Sequence, residues 1–158
     1  MIKRRWHGAV LLLFACSGGG ASSADTVAPT TGSARGVVES FMEAVADSNL
    51  SRMATLWGGN AGPASKTGQP PDWERRILVM QAYLQNESHR LLPSRESGGS
   101  SEQVPVEIRR ALCTWVVPFT AIRLGDGSWL VNQVDLTKAG NPARPCVPGA
   151  GQDTAATE

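Results

Sequence analysis

An α+β domain is the fold class this sequence predicts, with three N-terminal helices packed on one face of a curved antiparallel sheet. Three observations predict it. Apolar residues between positions 34 and 87 recur at helical spacing. Beyond position 89 the period changes to two, the spacing of half-buried strands. The helical stretch lies wholly before the strand meander, with no internal repeats, and that order gathers helices on one side of an antiparallel sheet. A length of 158 residues fits one domain, and 41% hydrophobic with 18% charged residues is a globular composition.

Val37, Val38, Phe41, Met42, Val45 and Ala46 share one face of a first helix over 34–47, with Glu39, Glu43 and Asp47 opposite. Asp47-Ser48-Asn49 supplies a cap cluster. Leu50, Met53, Leu56 and Trp57 then form a shorter stripe, which Gly58-Gly59 ends. Residues 58–71, rich in Gly, Pro, Ser and Lys, read as a loop. Pro70-Pro71-Asp72 opens the third helix, because proline's fixed φ and missing N–H suit a first turn. Its core face is Trp73, Ile77, Met80 and Leu84, its solvated side Glu74, Arg75, Gln81 and Gln85, and it runs to about Glu87.

His89 to Leu92 is a short strand and 93–102 a polar turn. Val104, Val106 and Ile108 alternate with Pro105, Glu107 and Arg109 in a half-buried strand. Thr114 to Leu124 is apolar, with Pro118 inside it; a residue that cannot donate to a ladder points to an edge position or a bulge. One strand from 104 to 124 would run roughly 70 Å at about 3.3 Å per residue, too long for this domain, so a turn is expected near Arg110–Cys113. Gly125-Asp126-Gly127 is the strongest turn signal. In the last strand Trp129, Val131 and Gln133 alternate with Leu130, Asn132 and Val134.

The first seven residues carry Lys3, Arg4 and Arg5, and Gly8 to Ala15 is a short apolar run. That order is a secretory signal, and the run is far shorter than the roughly 20 residues that span a bilayer. Leu13-Phe14-Ala15-Cys16 resembles the lipobox of bacterial lipoproteins, with Phe14 where a small residue is more usual. The resemblance implies cleavage before Cys16, a diacylglycerol thioether on its sulfur, and sorting to an outer membrane where the cell has one. The competing reading is an ordinary cleaved signal with an incidental cysteine. Residues 16–33 are then a lipidated cysteine and a flexible polar tether, 34–146 the domain, and 147–158 a disordered tail. Removing the leader leaves 12 basic against 14 acidic residues, a net charge of about −2, which offers no electrostatic footprint for nucleic acid. Outside a reducing compartment Cys113 and Cys146 are candidates for a disulfide; the alternative is a buried free Cys113 with an exposed Cys146.

VVESFMEAVADSNLSRMATLW (37–57) and FTAIRLGDGSWLVNQVDL (119–136) resemble the nuclear-transport-factor-2-like superfamily, which includes ketosteroid isomerase and polyketide cyclases. The likeness covers about 37–136 and implies a cone-like fold. Loop 58–71 departs from it, having no sign of the hairpin many members place between the second and third helices. The superfamily's motifs serve many functions and carry fold further than activity.

The chain past the leader has one histidine, His89, read as a surface residue at a strand start, and one tyrosine, Tyr83. A zinc site needs three or four ligands, so neither a metal nor any cofactor is expected. No Gly-x-Ser-x-Gly run is present. Isomerases of the similar superfamily use an aspartate base with a tyrosine and an acid. No residue here matches those positions by motif, and Asp135 would serve as a base only if it pointed inward. No catalytic residue is therefore assigned. Trp57, Trp73, Tyr83, Trp115 and Trp129 are the candidate lining of an apolar pocket, core packing being the competing role. Arg109, Arg110 and Arg123 either contact an anion or form a solvated strand face. The expected function is a membrane-tethered envelope module binding a small apolar ligand or an envelope protein. The alternatives are an isomerase, cyclase or dehydratase of the same fold, and a homodimer formed through the sheet.

Overall fold

The computed structural model describes residues 32–144 and Cys146. The expected leader, Cys16, most of the tether and the expected tail lie outside the described residues. The fold is α+β, with helices and an antiparallel sheet.

Helix α1 (Ala34–Ala46) is the central element. Ser33 caps it, its hydroxyl accepting from the Gly36 N–H at 3.0 Å. Val37, Val38, Phe41, Met42 and Val45 are fully buried, whereas Ala46, at the helix end, is exposed. Phe41 meets Phe119 of the sheet edge-on, with ring centroids 6.1 Å apart. The polar side of α1 is only half solvated, because Glu39 and Glu43 take partners from other elements: Glu39 lies 3.1 Å from the His89 ring and Glu43 receives Arg52 at 2.8 Å.

Ser48, at φ 51, turns the chain into α2 (Leu50–Leu56), whose first turn Asn49 caps by accepting from the Arg52 N–H. The loop expected over 58–71 contains more order than its composition implies. Strands β1 (Gly58–Gly59) and β2 (Gly62–Pro63) pair as a minimal hairpin, and α3 (Ala64–Thr67) follows. Hydrogen bonds supply what local propensity lacks: Asn132, distant in sequence, donates to the Gly58 carbonyl, and the Ala64 N–H closes the hairpin on that of Trp57. Helix α4 (Trp73–Leu84) buries Ile77, Met80 and Leu84 and half-buries Trp73. It stops short of the expected Glu87: Gln85 turns to extended backbone, and the Glu87 N–H goes to the Arg109 carbonyl, joining the sheet.

The sheet comprises β3 (Ser88–Leu91), β4 (Arg95–Gly98), β5 (Ser101–Arg110), β6 (Cys113–Arg123) and β7 (Trp129–Val134), ordered β3–β5–β6–β7 with β4 also on β5. The stretch 93–102, expected as a turn, thus carries a strand. Strand β5 begins at Ser101 and leaves a backbone edge beyond the reach of β3, which residues 95–98 occupy. The predicted turn at Arg110–Cys113 passes through Ala111, in the left-handed region at φ 49, and exposed Leu112. The Ala111 N–H is held by the Glu87 carboxylate at 3.1 Å.

Pro118 is not at an edge: β6 lies between β5 and β7. It faces Pro105 across the β5–β6 ladder, and two residues without N–H groups can oppose each other only at a pair that exchanges no hydrogen bonds. A bulge does occur, on the other side. Thr120 pairs with Gln133 and Ala121 with Val131, leaving Asn132 unpaired. The even alternation expected for the last strand is broken there, so Leu130 and Val131 are both buried and Gln133 is exposed. Val104, Val106, Ile108, Val117, Phe119 and Ala121 are fully buried and form the sheet's share of the core with α1. A short 3₁₀ turn (Leu136–Lys138) leads to buried Ala139.

Candidate functional site

A cleft of about 380 Å³ lies between α4 and β7, with the bulged Asn132 in its lining. Trp57, Met80, Val134 and Leu136 supply its apolar lining; Asp72, Arg75, Arg76, Val79, Asn132 and Gln133 complete it. Trp57 and Met80 are nearly buried, at 6% and 5% exposure. The polar atoms nearest the indole are already matched. Trp57 Nε1 donates to the Asn132 carbonyl at 3.1 Å, and Asn132 Nδ2 to the Gly58 carbonyl at 2.9 Å. The bulged residue of β7 therefore holds the indole, is itself tied to the β1–β2 hairpin, and leaves an apolar surface.

The rim is charged. Arg76 Nε donates to Asp72 Oδ1 at 2.9 Å, one turn apart on α4. That hydrogen bond, with the nearby positive charge of Arg76 and then Arg75, holds the Asp72 carboxyl below its ordinary 3.8. Arg75 has no ion-pair partner among the described residues. A second groove of about 370 Å³ runs on the other side of α4, against α2, lined by Leu50, Ala54, Trp73, Ile77 and the exposed Leu78 among others.

The five aromatic residues singled out from sequence are not brought together. Trp57 lines the α4–β7 cleft and Trp73 the α2–α4 groove; Tyr83, Trp115 and Trp129 line neither and pack, partly buried, against the core. Asp135 does not point inward as a base. Its carboxylate accepts from the Thr137 N–H and hydroxyl and caps the 3₁₀ turn. His89, read as a surface residue, is instead half-buried with its side chain 16% exposed, because the β3–β5 register turns it toward α1 and Glu39. Among the described residues no three His, Cys, Asp or Glu side chains cluster so as to hold a metal.

The three arginines separate as well. Arg109 and Arg110 alternate to opposite faces, and Arg123 lies at the far end of the β5–β6 ladder. Arg110 packs over the Trp115 ring, 4.7 Å from its centroid, and donates to the Ala139 carbonyl. Burial lowers its pKa, and its Nε has no partner. Beside it, Gly140 lies flat against Trp115 at φ 68. Cys113 and Cys146 lie at disulfide distance, with Cα atoms 6.1 Å apart, so the C-terminal segment is fastened at the end of β6 that carries Trp115.

The sequence marked Trp57 but missed its partners. Arg75 was legible only as a solvated helix residue, and Asn132 and Val134 only as strand positions, since the cleft exists through the approach of α4 to β7. Among the described residues no helix is long and apolar enough to cross a membrane. Comparison with known proteins finds no matching family model, no similar curated protein and no similar solved structure.

Proposed function

We propose that this protein is an envelope lipoprotein, anchored through lipid on Cys16, whose domain binds a small apolar ligand in the cleft between α4 and β7. The observation that carries the binding reading is a concave, apolar-floored cleft of about 380 Å³, within the range of small-molecule sites. Its indole N–H is held by the Asn132 carbonyl of β7, which favours a preformed floor. Supporting the anchor are the apolar leader and the Leu13-Phe14-Ala15-Cys16 lipobox resemblance. An acyl chain contributes about 0.8 kcal/mol per buried CH₂, and more than one chain makes anchoring stable. The domain itself we read as a small cone of the nuclear-transport-factor-2-like kind. The order of two helices, a hairpin, a short and a longer helix, then a strand meander favours that reading, and the β1–β2 pair is a hairpin within loop 58–71, where the sequence gives no sign of one.

A binder accounts for the cleft better than an isomerase or cyclase does. Among the described residues its only acid, Asp72, is exposed and ion-paired with its pKa lowered, the reverse of what a general base at neutral pH needs. The experiment is a comparison of native and denaturing masses for the exported protein. A small discrete excess in the native spectrum, lost on denaturation and abolished by Val134→Trp, supports the reading. Native mass equal to chain mass, unchanged after incubation with apolar small molecules, refutes it. Lipidation is tested by incorporation of labelled palmitate, which Cys16→Ser must abolish.

A second reading is a homodimer through the outer sheet face. Exposed Val116 and Leu112 favour it, with half-buried Pro105, Pro118 and Ile122 nearby. The Arg90–Glu107 ion pair and exposed Arg109 interrupt that face. A doubled native mass that Val116→Glu returns to monomer would establish the dimer.

A further inference from the structure

We infer that the ligand of the α4–β7 cleft is an amphipathic monoanion, a medium-length apolar body ending in a carboxylate; the inference rests on the reading of this cleft as a ligand site. It starts from which polar groups remain free to meet a ligand. On the floor, Trp57 Nε1 and Asn132 Nδ2 are both engaged within the protein. On the rim, Arg76 gives one N–H to Asp72 and keeps the rest of its five donors. Neither the Arg75 guanidinium nor the Gln133 side chain has a hydrogen-bond or ion-pair partner among the described residues. Glu74 lies on the other groove, so two cations face one carboxylate around this opening. The free charge on the rim is a guanidinium, whose forked donors match the planar geometry of a carboxylate.

The floor sets the rest of the molecule. Trp57, Met80, Val134 and Leu136 offer no free donor, so whatever lies on them is apolar. At about 30 Å³ for each water-sized group, 380 Å³ holds on the order of a dozen such units. That is the bulk of a ten-carbon chain with its head at the rim.

The test is calorimetric titration of the exported full chain carrying Cys16→Ser, free of detergent, with decanoate and with decanol. Titrations are repeated in Arg75→Gln and Arg76→Gln backgrounds and at raised salt. Decanoate should bind about tenfold tighter than decanol, and the gap should shrink several-fold in each variant and with salt. Equal affinity for the two probes overturns the anion inference while leaving the cleft reading standing. Binding of neither overturns the cleft reading and the inference with it. A preference for decanoate that survives both substitutions overturns the assignment of the rim.

Discussion

Gly58 and Gly59 are adjacent in sequence and in one strand, yet replacing each with alanine should have opposite effects. A Cβ at Gly58 would collide with the Gly62 carbonyl oxygen and come within 2.9 Å of Pro63 Cα and 3.0 Å of Ala64 N, all backbone atoms. None can yield cheaply. The Ala64 N–H is bonded to the Trp57 carbonyl at 2.8 Å, and the Gly58 carbonyl itself receives Asn132. Relief means opening the hairpin. Overpacking costs about 1–3 kcal/mol, and the two hydrogen bonds are worth about 1 kcal/mol each. Restricting the unfolded chain returns about 0.4–1 kcal/mol, so the net loss is about 2–3 kcal/mol. For a domain of this size that lowers the Tm by roughly 8–12 °C. A Cβ at Gly59 meets nothing within 4 Å, so Gly59→Ala should leave the Tm unchanged or raise it slightly. Circular dichroism melts of both variants decide the matter, with tryptophan emission reporting whether Trp57 loosens. A Gly58→Ala melt within 2 °C of the parent (well under the roughly 8 °C expected), or indistinguishable from that of Gly59→Ala, would refute the steric argument.

Three further outcomes follow from the same structure. Gly140→Ala drives a Cβ into the Trp115 indole, 2.6 Å from its Cε2, at a left-handed φ. It should destabilise by about 2 kcal/mol, less so when Trp115 is also replaced, and a urea double-mutant cycle measures the difference. Cys113 and Cys146 are 33 residues apart; pairing them should contribute roughly 3–4 kcal/mol in the chain-entropy model, lost on adding reductant. Two thiols alkylated in unfolded, unreduced protein would show that the pair is not bonded. The carboxyls of Asp72, held by Arg76, and Asp126, held by Ser128, lie below the ordinary 3.8. Folded values below unfolded ones mean that the stabilisation is present above pH 3.8 and lost as pH falls through the depressed values. Asp126→Asn should therefore flatten the decline of the urea midpoint between pH 5 and the acid limit, and an unchanged slope would contradict the assignment.

Elements written in local periodicity were legible. Helix α1 repeats its apolar face over more than three turns, and β5 alternates cleanly through Val104, Val106 and Ile108. What escaped depends on a distant partner. The residues of β4 carry no strand pattern and pair only because β5 offers an edge. The β1–β2 hairpin is three glycines and a proline, which read as breaks, until Asn132 from 74 residues away donates to it. The bulge at Asn132 had the widest effect, since one inserted residue exchanges the faces of everything on one side of it. Strict alternation consequently puts Gln133 with Val131, and Asp135 with both. For the cleft, aromatic content pointed to Trp57, but nothing local could join it to Arg75 or Val134.

The facing prolines at 105 and 118 have a consequence for how the sheet finds its alignment. Where each would have donated outward, the neighbouring chain is leaving the sheet: Leu92 and Asp135 donate to the two proline carbonyls just past the ends of β3 and β7. In the native pairing neither missing N–H costs a rung. Slide β5 by a single residue along β6, and the strand that rotates turns its proline nitrogen toward a carbonyl it cannot serve, while that strand's apolar row rotates into water. The two rings work as a parity check on assembly: whichever strand is turned, a misalignment by an odd number of residues loses a rung before any side chain has packed.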